Sequence, residues 1–432
     1  MPKKIALLGT LDTKGPEIRF ARQLIERRGH IAVTIDCGIM GSAFFTPTIT
    51  RHQVAAAAGT TIAEILAKAD KNGAIKTMTA GSIAVAERLC REGEMDGILA
   101  LGGGQGTVMG TSVMQALPFG IPKVLVSAVA NGQTAFGPFV GTRDITIIHS
   151  VADVLGLNMV TRRVLAEGVG AVTGMVEMDY EEPRSGRPAI AMTTAGVTTQ
   201  CAMRARDILE SRGYEVIAFH CNGVGAKAME ELVAEGRIAG VLDISPHDIT
   251  DRLFGGIFPA APDRMDATCR RGIPQVVVPG TTDFILFAGV ESVPPEMLKR
   301  QHVLHNPIHT HVRATYDEMR TVGRFVAERL ARSTGPARVL IPGRGFTALN
   351  VAGGPMYNPS ADAGFLAGLT EELARCGALT VAVEELDLHI NDPRFAAALA
   401  ERIDTLVGTT RPPAERGGGD RPIDSNAQQE PT

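Results

Sequence analysis

A helix–glycine–strand pattern occurs twice along this chain, and a repeat of that kind leaves few folds open. LIERRGHIAVTIDCG (residues 24–38) is answered by ILESRGYEVIAFHCN (208–222), with Gly29 matching Gly213. AERLCREGEMDGILAL (86–101) is answered by MEELVAEGRIAGVLDI (229–244), and FGIPKVLVSA (119–128) by RGIPQVVVPG (271–280). The three matches keep their order. The spacing between the first two is longer in the first copy, so that copy carries an insertion, residues 39–80, which holds an Ala-rich helical stretch. Being extra to the repeat, the insertion is read as a dimer arm.

Short apolar runs alternate with amphipathic segments in each copy. Residues 4–8, 31–35, 97–101 and 123–126 read as buried strands. Residues 16–28, 61–71, 83–91 and about 107–117 read as helices. The second copy restarts with a strand at 189–193, a helix at 198–212 and a strand at 214–220. Strands separated by single helices pair in parallel through right-handed crossovers. The expected fold class is α/β: two similar Rossmann-like, doubly wound domains from an internal duplication. The first spans 1–180 and the second 188–405, divided at the charged, Pro/Gly-rich segment 179–188. Residues 411–432 are almost without apolar side chains and are expected to be a disordered tail.

Composition excludes several function classes. With 432 residues, two cores are expected rather than one. A net charge of −4 without a basic block excludes binding driven by nucleic-acid phosphates. No apolar run is long enough to span a membrane. The opening MPKKIALLGT runs straight into a Gly/Asp/Lys loop and reads as a strand, not a leader. Six cysteines with no CxxC pair imply reduced thiols and a cytoplasmic protein.

In a doubly wound sheet ligands sit at the strand carboxyl ends, so the loops there carry the chemistry. After the first strand come Gly9, Thr10, Leu11, Asp12, Thr13 and Lys14. These offer helix-start N–H groups, hydroxyls and a cation for an anion, with Asp12 as a candidate Mg²⁺ ligand. After the strand at 97–101 come Gly102, Gly103, Gly104, Gln105, Gly106 and Thr107, where backbone can approach a phosphate or carboxylate closely. Ser127 and Asn131 follow the next strand, and Arg143 beyond them is a candidate substrate contact. In the second copy the equivalent positions are Thr193, Thr194 and Gly196; His220, Asn222 and Gly223; and Asp243, Ser245 and His247. Four of the ten histidines fall within 302–311. His302, His305 and His309 would share a helix face suited to Zn²⁺, but Pro307 opposes such a helix, so His305 and His309 are read as loop bases beside Arg313.

Several of these segments together resemble a known family. GTLDTKGPE, GGGQGT, GVTTQCAMRARDILESRGYEVIAFHCNGVGAKAMEELV, GVLDIS and HNPIHTHVR are similar to the ATP-binding family named for the amino-terminal half of the plant tobamovirus-resistance protein. The resemblance runs from residue 1 to about 405. It implies two Rossmann-like domains, ATP with Mg²⁺ as ligand, and a homodimer. It also implies a separate TIM-barrel partner, because the plant protein fuses such a barrel behind this part. It brings no established reaction. The resulting expectation is a metabolic enzyme or subunit, with ATP phosphates on the Gly9–Lys14 and Gly102–Thr107 loops. Asp12, Lys14, His247, His305 and His309 are its candidate catalytic groups, and the second domain takes a small carboxylate or carbonyl compound. The alternatives are a nucleotide-binding regulator without turnover, and a metal-dependent carbon–carbon lyase or hydrolase.

Overall fold

The computed structural model describes residues 1–130, 137–180, 186–378 and 380–410. The expected tail, 411–432, lies outside them. The chain forms two compact units, Met1–Arg184 and Ser185–Thr432.

The first unit runs β1 (Lys4–Gly9), α1 (Gly15–Arg27), β2 (Ile31–Asp36), α2 (Arg51–Ala57), α3 (Ile62–Ala67), α4 (Lys71–Arg91), β3 (Gly97–Gly102), α5 (Gly104–Ala116), β4 (Lys123–Ser127), α6 (Gly137–Val140), β5 (Ile145–His149) and α7 (Met159–Glu177). Its five strands are all parallel in the order β2-β1-β3-β4-β5. Alternation along β1 divides the core. Ile5 and Leu7 pack with α1 and α7, while Ala6 and Leu8 pack with α2 to α5.

The insertion is therefore part of this unit's own core and not a projecting arm. Ile49, Val54, Ala55, Ile62, Ile65, Ala74 and Met78 are buried against the sheet. Its helical content also differs from the sequence reading. α4 is one continuous helix that passes through the gap expected between 71 and 83. The reason lies at Gly81, where an added Cβ would stand 2.0 Å from the Val54 carbonyl oxygen of α2. Tertiary contact with α2 overrides the weak helix propensity of glycine.

The second unit runs β6 (Ala189–Thr194), α8 (Thr199–Ser211), β7 (Glu215–His220), α9 (Val224–Ala234), β8 (Gly240–Asp243), α10 (His247–Phe254), α11 (Asp266–Arg271), β9 (Gln275–Val277), β10 (Phe284–Phe287), β11 (His302–Asn306), β12 (His309–Arg313), α12 (Tyr316–Leu330), β13 (Ala337–Pro342), α13 (Pro359–Arg375), β14 (Ala382–Leu386) and α14 (Pro393–Thr410). Six strands form a parallel sheet in the order β14-β13-β9-β8-β6-β7, and β10-β12-β11 form a separate antiparallel sheet.

Read from the other edge, β7-β6-β8-β9 repeats β2-β1-β3-β4, the doubly wound order. The three sequence matches fall on equivalent turns. The paired glycines Gly29 and Gly213, Gly93 and Gly236, and Gly120 and Gly272 all have positive φ, between 63° and 88°. That left-handed conformation is costly for a residue with a Cβ, so the same turn is built six times with the same residue. The fold and the duplication are as expected from sequence.

Helices α12 and α13 meet along a glycine seam. A Cβ at Gly323, Gly364 or Gly368 would lie 2.0–2.2 Å from a backbone carbonyl oxygen of the facing helix. Gly368→Val should therefore destabilise the chain by about 2 kcal/mol or more, as overpacking against backbone does. Gly408→Val, where a Cβ meets nothing within 4 Å, provides the comparison. Urea midpoints of the two variants check this.

Candidate functional site

In the first unit, two helix amino termini open on one cleft of about 1040 Å³. α1 starts after Lys14 and α5 after Gly103, and neither N-cap residue makes a side-chain capping bond. Their first-turn N–H groups are the orphan donors of any helix start, and they carry the positive end of the helix dipole. Thr10, Asp12, Thr13, Lys14 and Gly102–Gly106 line this end of the cleft, with Ala128 and Val129 beyond β4. Ile39, Met40, Ile65, Leu66, Ala69 and Ala74 from the insertion line an apolar wall. The cleft thus pairs an anion-attracting end with an apolar one.

The glycines of the second loop are not equivalent. A Cβ at Gly102 would stand 2.8 Å from Gly106 Cα, and one at Gly106 would stand 3.1 Å from the Leu101 carbonyl oxygen. The fold therefore requires those two. Gly104 has nothing within 4 Å of its Cβ position, Gly103 has only Asp153 Oδ1 at 3.7 Å, and neither has a positive φ. Nothing in the fold demands glycine at 103 or 104, where a side chain would project into the cleft.

Neighbouring residues shape this end rather than face it. Thr107 and Ser127 are fully buried and bonded to each other at 2.7 Å, and Ser127 Oγ accepts from the Val129 and Ala130 N–H groups. They brace the loops and do not reach a ligand as expected. Gly9 closes β1 with its Cβ position 2.4 Å from Ile18 Cδ1, a packing role. Thr10 and Thr13 hydroxyls are 2.6 Å apart, and Lys14 Nζ donates to the Val154 carbonyl. Asp12 accepts from the Met40 N–H at 2.7 Å and lies 3.6 Å from Arg51. Arg51 also pairs with buried Asp36 at 2.8 Å. Asp12 is thus engaged by the insertion, which weakens it as a metal ligand. Asp153, missed from sequence, is exposed at the cleft beside Gly103. Asn131 lies outside the described residues. Arg143 precedes β5 at the strands' amino ends and donates to the Gln115 carbonyl. It is on the far edge of the sheet from the cleft, because a crossover returns the chain to the amino end before each parallel strand begins.

In the second unit, three of the expected substrate contacts, Thr193, Asp243 and Ser245, are buried in a network around Arg264. Arg264 is 1% exposed and pairs with Asp243 at 2.7 Å and Asp248 at 3.1 Å, with Glu230 at 3.7 Å. Asp243 also accepts from Thr193 Oγ1, which in turn accepts from the Ser245 N–H, while Ser245 Oγ meets Thr198 Oγ1. Thr193, Asp243 and Ser245 are therefore structural and not open to substrate. Gly223 (φ +74°) has its Cβ position 2.4 Å from the Pro259 carbonyl oxygen, and Asn222 caps the Gly225 N–H. Both shape the turn. Thr194 is half-buried and Gly196 exposed at the start of the next turn. Arg313 is 2% exposed and joins Asp362 to the carbonyls of Asp283, Met356 and Asn358, so it is a latch and not a substrate contact.

The histidine segment is a β-hairpin, β11–β12, and not a helix, so His302, His305 and His309 share no helix face. Among the described residues no group of three or more His, Cys, Asp or Glu is arranged to hold a metal ion. Instead the rings stack. His311 lies 4.1 Å from Phe284 and 4.8 Å from His305, both near-parallel, and His247 lies 4.6 Å from Phe284. His247 Nδ1 meets the Thr281 carbonyl at 2.9 Å. Its Nε2 is 3.3 Å from Asp251 Oδ2 without hydrogen-bond alignment. Burial opposes charge on His247, but Asp251 outweighs it and holds the imidazole above its ordinary value. Burial, with His305, His247 and His309 adding repulsion, pushes His311 down to about 3.

Two consequences are measurable. Arg264→Ala leaves buried carboxylates without a cation and should cost about 3–5 kcal/mol. Arg344→Ala, breaking an exposed pair with Asp387, should change the urea midpoint little. His311 is neutral when folded and protonates freely only when unfolded. Its contribution to stability is therefore full above about pH 6.5 and declines as pH falls below that value, by on the order of 1 kcal/mol per pH unit. His247 has the opposite sign, since its folded form holds the proton more tightly. His311→Phe should keep the ring stack and flatten the acid side of a stability–pH curve.

Known proteins share this organisation. Residues 3–181 match the N-terminal domain and residues 187–407 the C-terminal domain described as "Uncharacterised protein family (UPF0261)". A UPF0261 protein of Clostridium tetani is 38% identical over 407 residues, covering 94% of this chain and 100% of that one. A UPF0261 protein of Rhizobium meliloti is 37% identical, covering 92% and 97%. The ToMV resistance protein Tm-1(GCR237) of Solanum lycopersicum is 36% identical over 318 residues, covering 72% of this chain and 41% of that protein. With both of its domains matched, the chain belongs to the UPF0261 family, to which the tomato resistance protein is related.

Proposed function

We propose that the first unit binds a nucleoside triphosphate, ATP with Mg²⁺, in the cleft at the carboxyl ends of β1 and β3. One observation carries this reading: Gly103 and Gly104 lead into an uncapped helix, have ordinary φ, and have open space where a side chain would be. Backbone exposed in that way suits close approach by phosphate oxygens. Lys14 supplies a charge-assisted contact once it leaves the Val154 carbonyl. The apolar wall of Ile65 and Leu66 suits the base. Mg²⁺ needs only one or two carboxylates beside phosphate oxygens and water. Asp153 fits that need better than Asp12, whose carboxylate already faces Arg51 and the Met40 N–H.

The role is that of a cytoplasmic enzyme or enzyme subunit, a homodimer acting with a TIM-barrel partner. The second unit takes a small carboxylate or carbonyl compound. Among the described residues no helix is long and apolar enough to cross a membrane, in keeping with a role away from one. Phosphoryl chemistry asks mainly for orientation and charge stabilisation, which the helix starts and Lys14 supply.

Calorimetric titration with ATP·Mg²⁺ tests the reading. Lys14→Ala should weaken binding by about 1–3 kcal/mol. Gly104→Val should weaken it at least about tenfold while leaving the melting temperature near that of wild type, because its Cβ meets nothing in the fold. No binding by wild type overturns the nucleotide. Binding without turnover, with or without a barrel partner, leaves a regulator.

A further inference from the structure

The second unit stacks histidine rings of which one, His247, faces a carboxylate, Asp251, while His311 lies between Phe284 and His305. Side chains alternate along a strand, so His309, His311 and Arg313 share one face of β12. Pairing places Leu286 of β10 and Val303 of β11 beside His311. On this face stand the rings of Phe284, His311 and His305 in a column, with His247 of α10 at its inner end. His311 is 5% exposed, and its Nδ1 is buried without a hydrogen-bond partner.

The charged groups around the column are otherwise engaged. Asp251 accepts from the Leu286 and Phe258 N–H groups and faces His247. Asp248 is held by Cys221 and Arg264. Arg313 is tied to Asp362 and backbone carbonyls. The charges acting on His311 are those of His305, His247 and His309, and the one acting on His220 is that of His247. Burial and these neighbours keep both imidazoles below their ordinary value. Imidazoles collected in this way, one with a buried nitrogen unpartnered, are electrostatically completed by an anion that brings its own charge and promotes protonation.

We propose that this histidine column is a binding site for a small oxyanion, a carboxylate or phosphate group of a metabolite, held by His311 with His305 and bound with uptake of a proton. This deepens the substrate half of the reading above and is independent of its nucleotide half. The arrangement differs from a metal centre, since no group of three ligands converges among the described residues.

The test is calorimetry on the full chain with oxalate and, separately, sulfate, whose charges stay constant between pH 6 and 8. Each titration is run in two buffers of different ionisation heat. The expected result is binding of at least one anion with net proton uptake, and affinity rising by up to about tenfold per pH unit as the pH is lowered. Oxalate binding without sulfate binding identifies a carboxylate, and the reverse identifies a phosphate-like group. His311→Phe, which keeps the stack, should abolish the binding and the uptake. His305→Gln, at an exposed position, should weaken binding about fivefold or more with an unchanged melting temperature. Lys14→Ala should bind the anion as wild type does. Absence of binding, binding without proton uptake, or loss in Lys14→Ala but not in His311→Phe would each overturn the proposal. So would stoichiometric zinc binding that His305→Gln removes in a chain that takes no oxyanion. Oxyanion binding in a chain that ignores ATP·Mg²⁺ would retire the nucleotide reading and leave this one standing.

Discussion

All strands of each main sheet point the same way, and this single constraint organises the ligand-facing chemistry of both units. A parallel strand delivers its chain to one edge and the next helix begins there. Unsatisfied N–H groups and short polar loops therefore accumulate on that edge. In the first unit the edge stays open, with the uncapped starts of α1 and α5 facing a cleft. In the second, β10, β11 and β12 are spliced between β9 and β13, and one of their histidines, His311, is buried with an unpartnered ring nitrogen.

The two copies have used equivalent positions in different ways. The turn after β3 is a run of glycines leading into α5. The turn after β8 carries Asp243, Ser245 and His247, drawn inward by Arg264, Thr193 and Thr198. A buried guanidinium with two close carboxylates must be fully paired, because each charge left alone in a low-dielectric interior is costly. Arg264 thereby commits Asp243, which reads in sequence as a substrate contact, to holding the loop. Arg51 does something comparable in the first unit. By binding Asp36, and lying near Asp12, it ties the insertion to the carboxyl ends of β1 and β2. That tie sets the apolar wall of the cleft.

Much of the architecture was legible because it rests on local rules. The paired glycines at 29 and 213, 93 and 236, and 120 and 272 occupy left-handed turns in both copies. Periodicity located the strands, since a buried parallel strand is a short continuous apolar run. The glycine loop at 102–106 was legible too, although sequence could not separate the two glycines demanded by packing from the two that are not. Other features had no local signal. Arg264 is an isolated arginine in sequence, and Asp153 lies in a loop far from the glycines it neighbours. Val151 and Ala69, non-glycine residues with positive φ on the cleft wall, carry no mark in sequence of that conformation. The loop reading of 302–309 set the helix aside rightly on Pro307 but missed the hairpin, because the alternation of β11 and β12 is interrupted by a bulge between Leu304 and Asn306.

The sequence by itself determined the fold class, the duplication, the alternation of strands and helices that the two copies share and which loops lie at the strand carboxyl ends, since these follow from periodicity, turn residues and the handedness of crossovers. Only the tertiary structure decided which polar residues at those ends face a cleft and which are consumed inside. That choice depends on partners distant in the chain: Arg264 for Asp243, Arg51 for Asp36, and Phe284 for His311. Burial and pairing are properties of the packed molecule, and they set whether a carboxylate or an imidazole is free to meet a ligand.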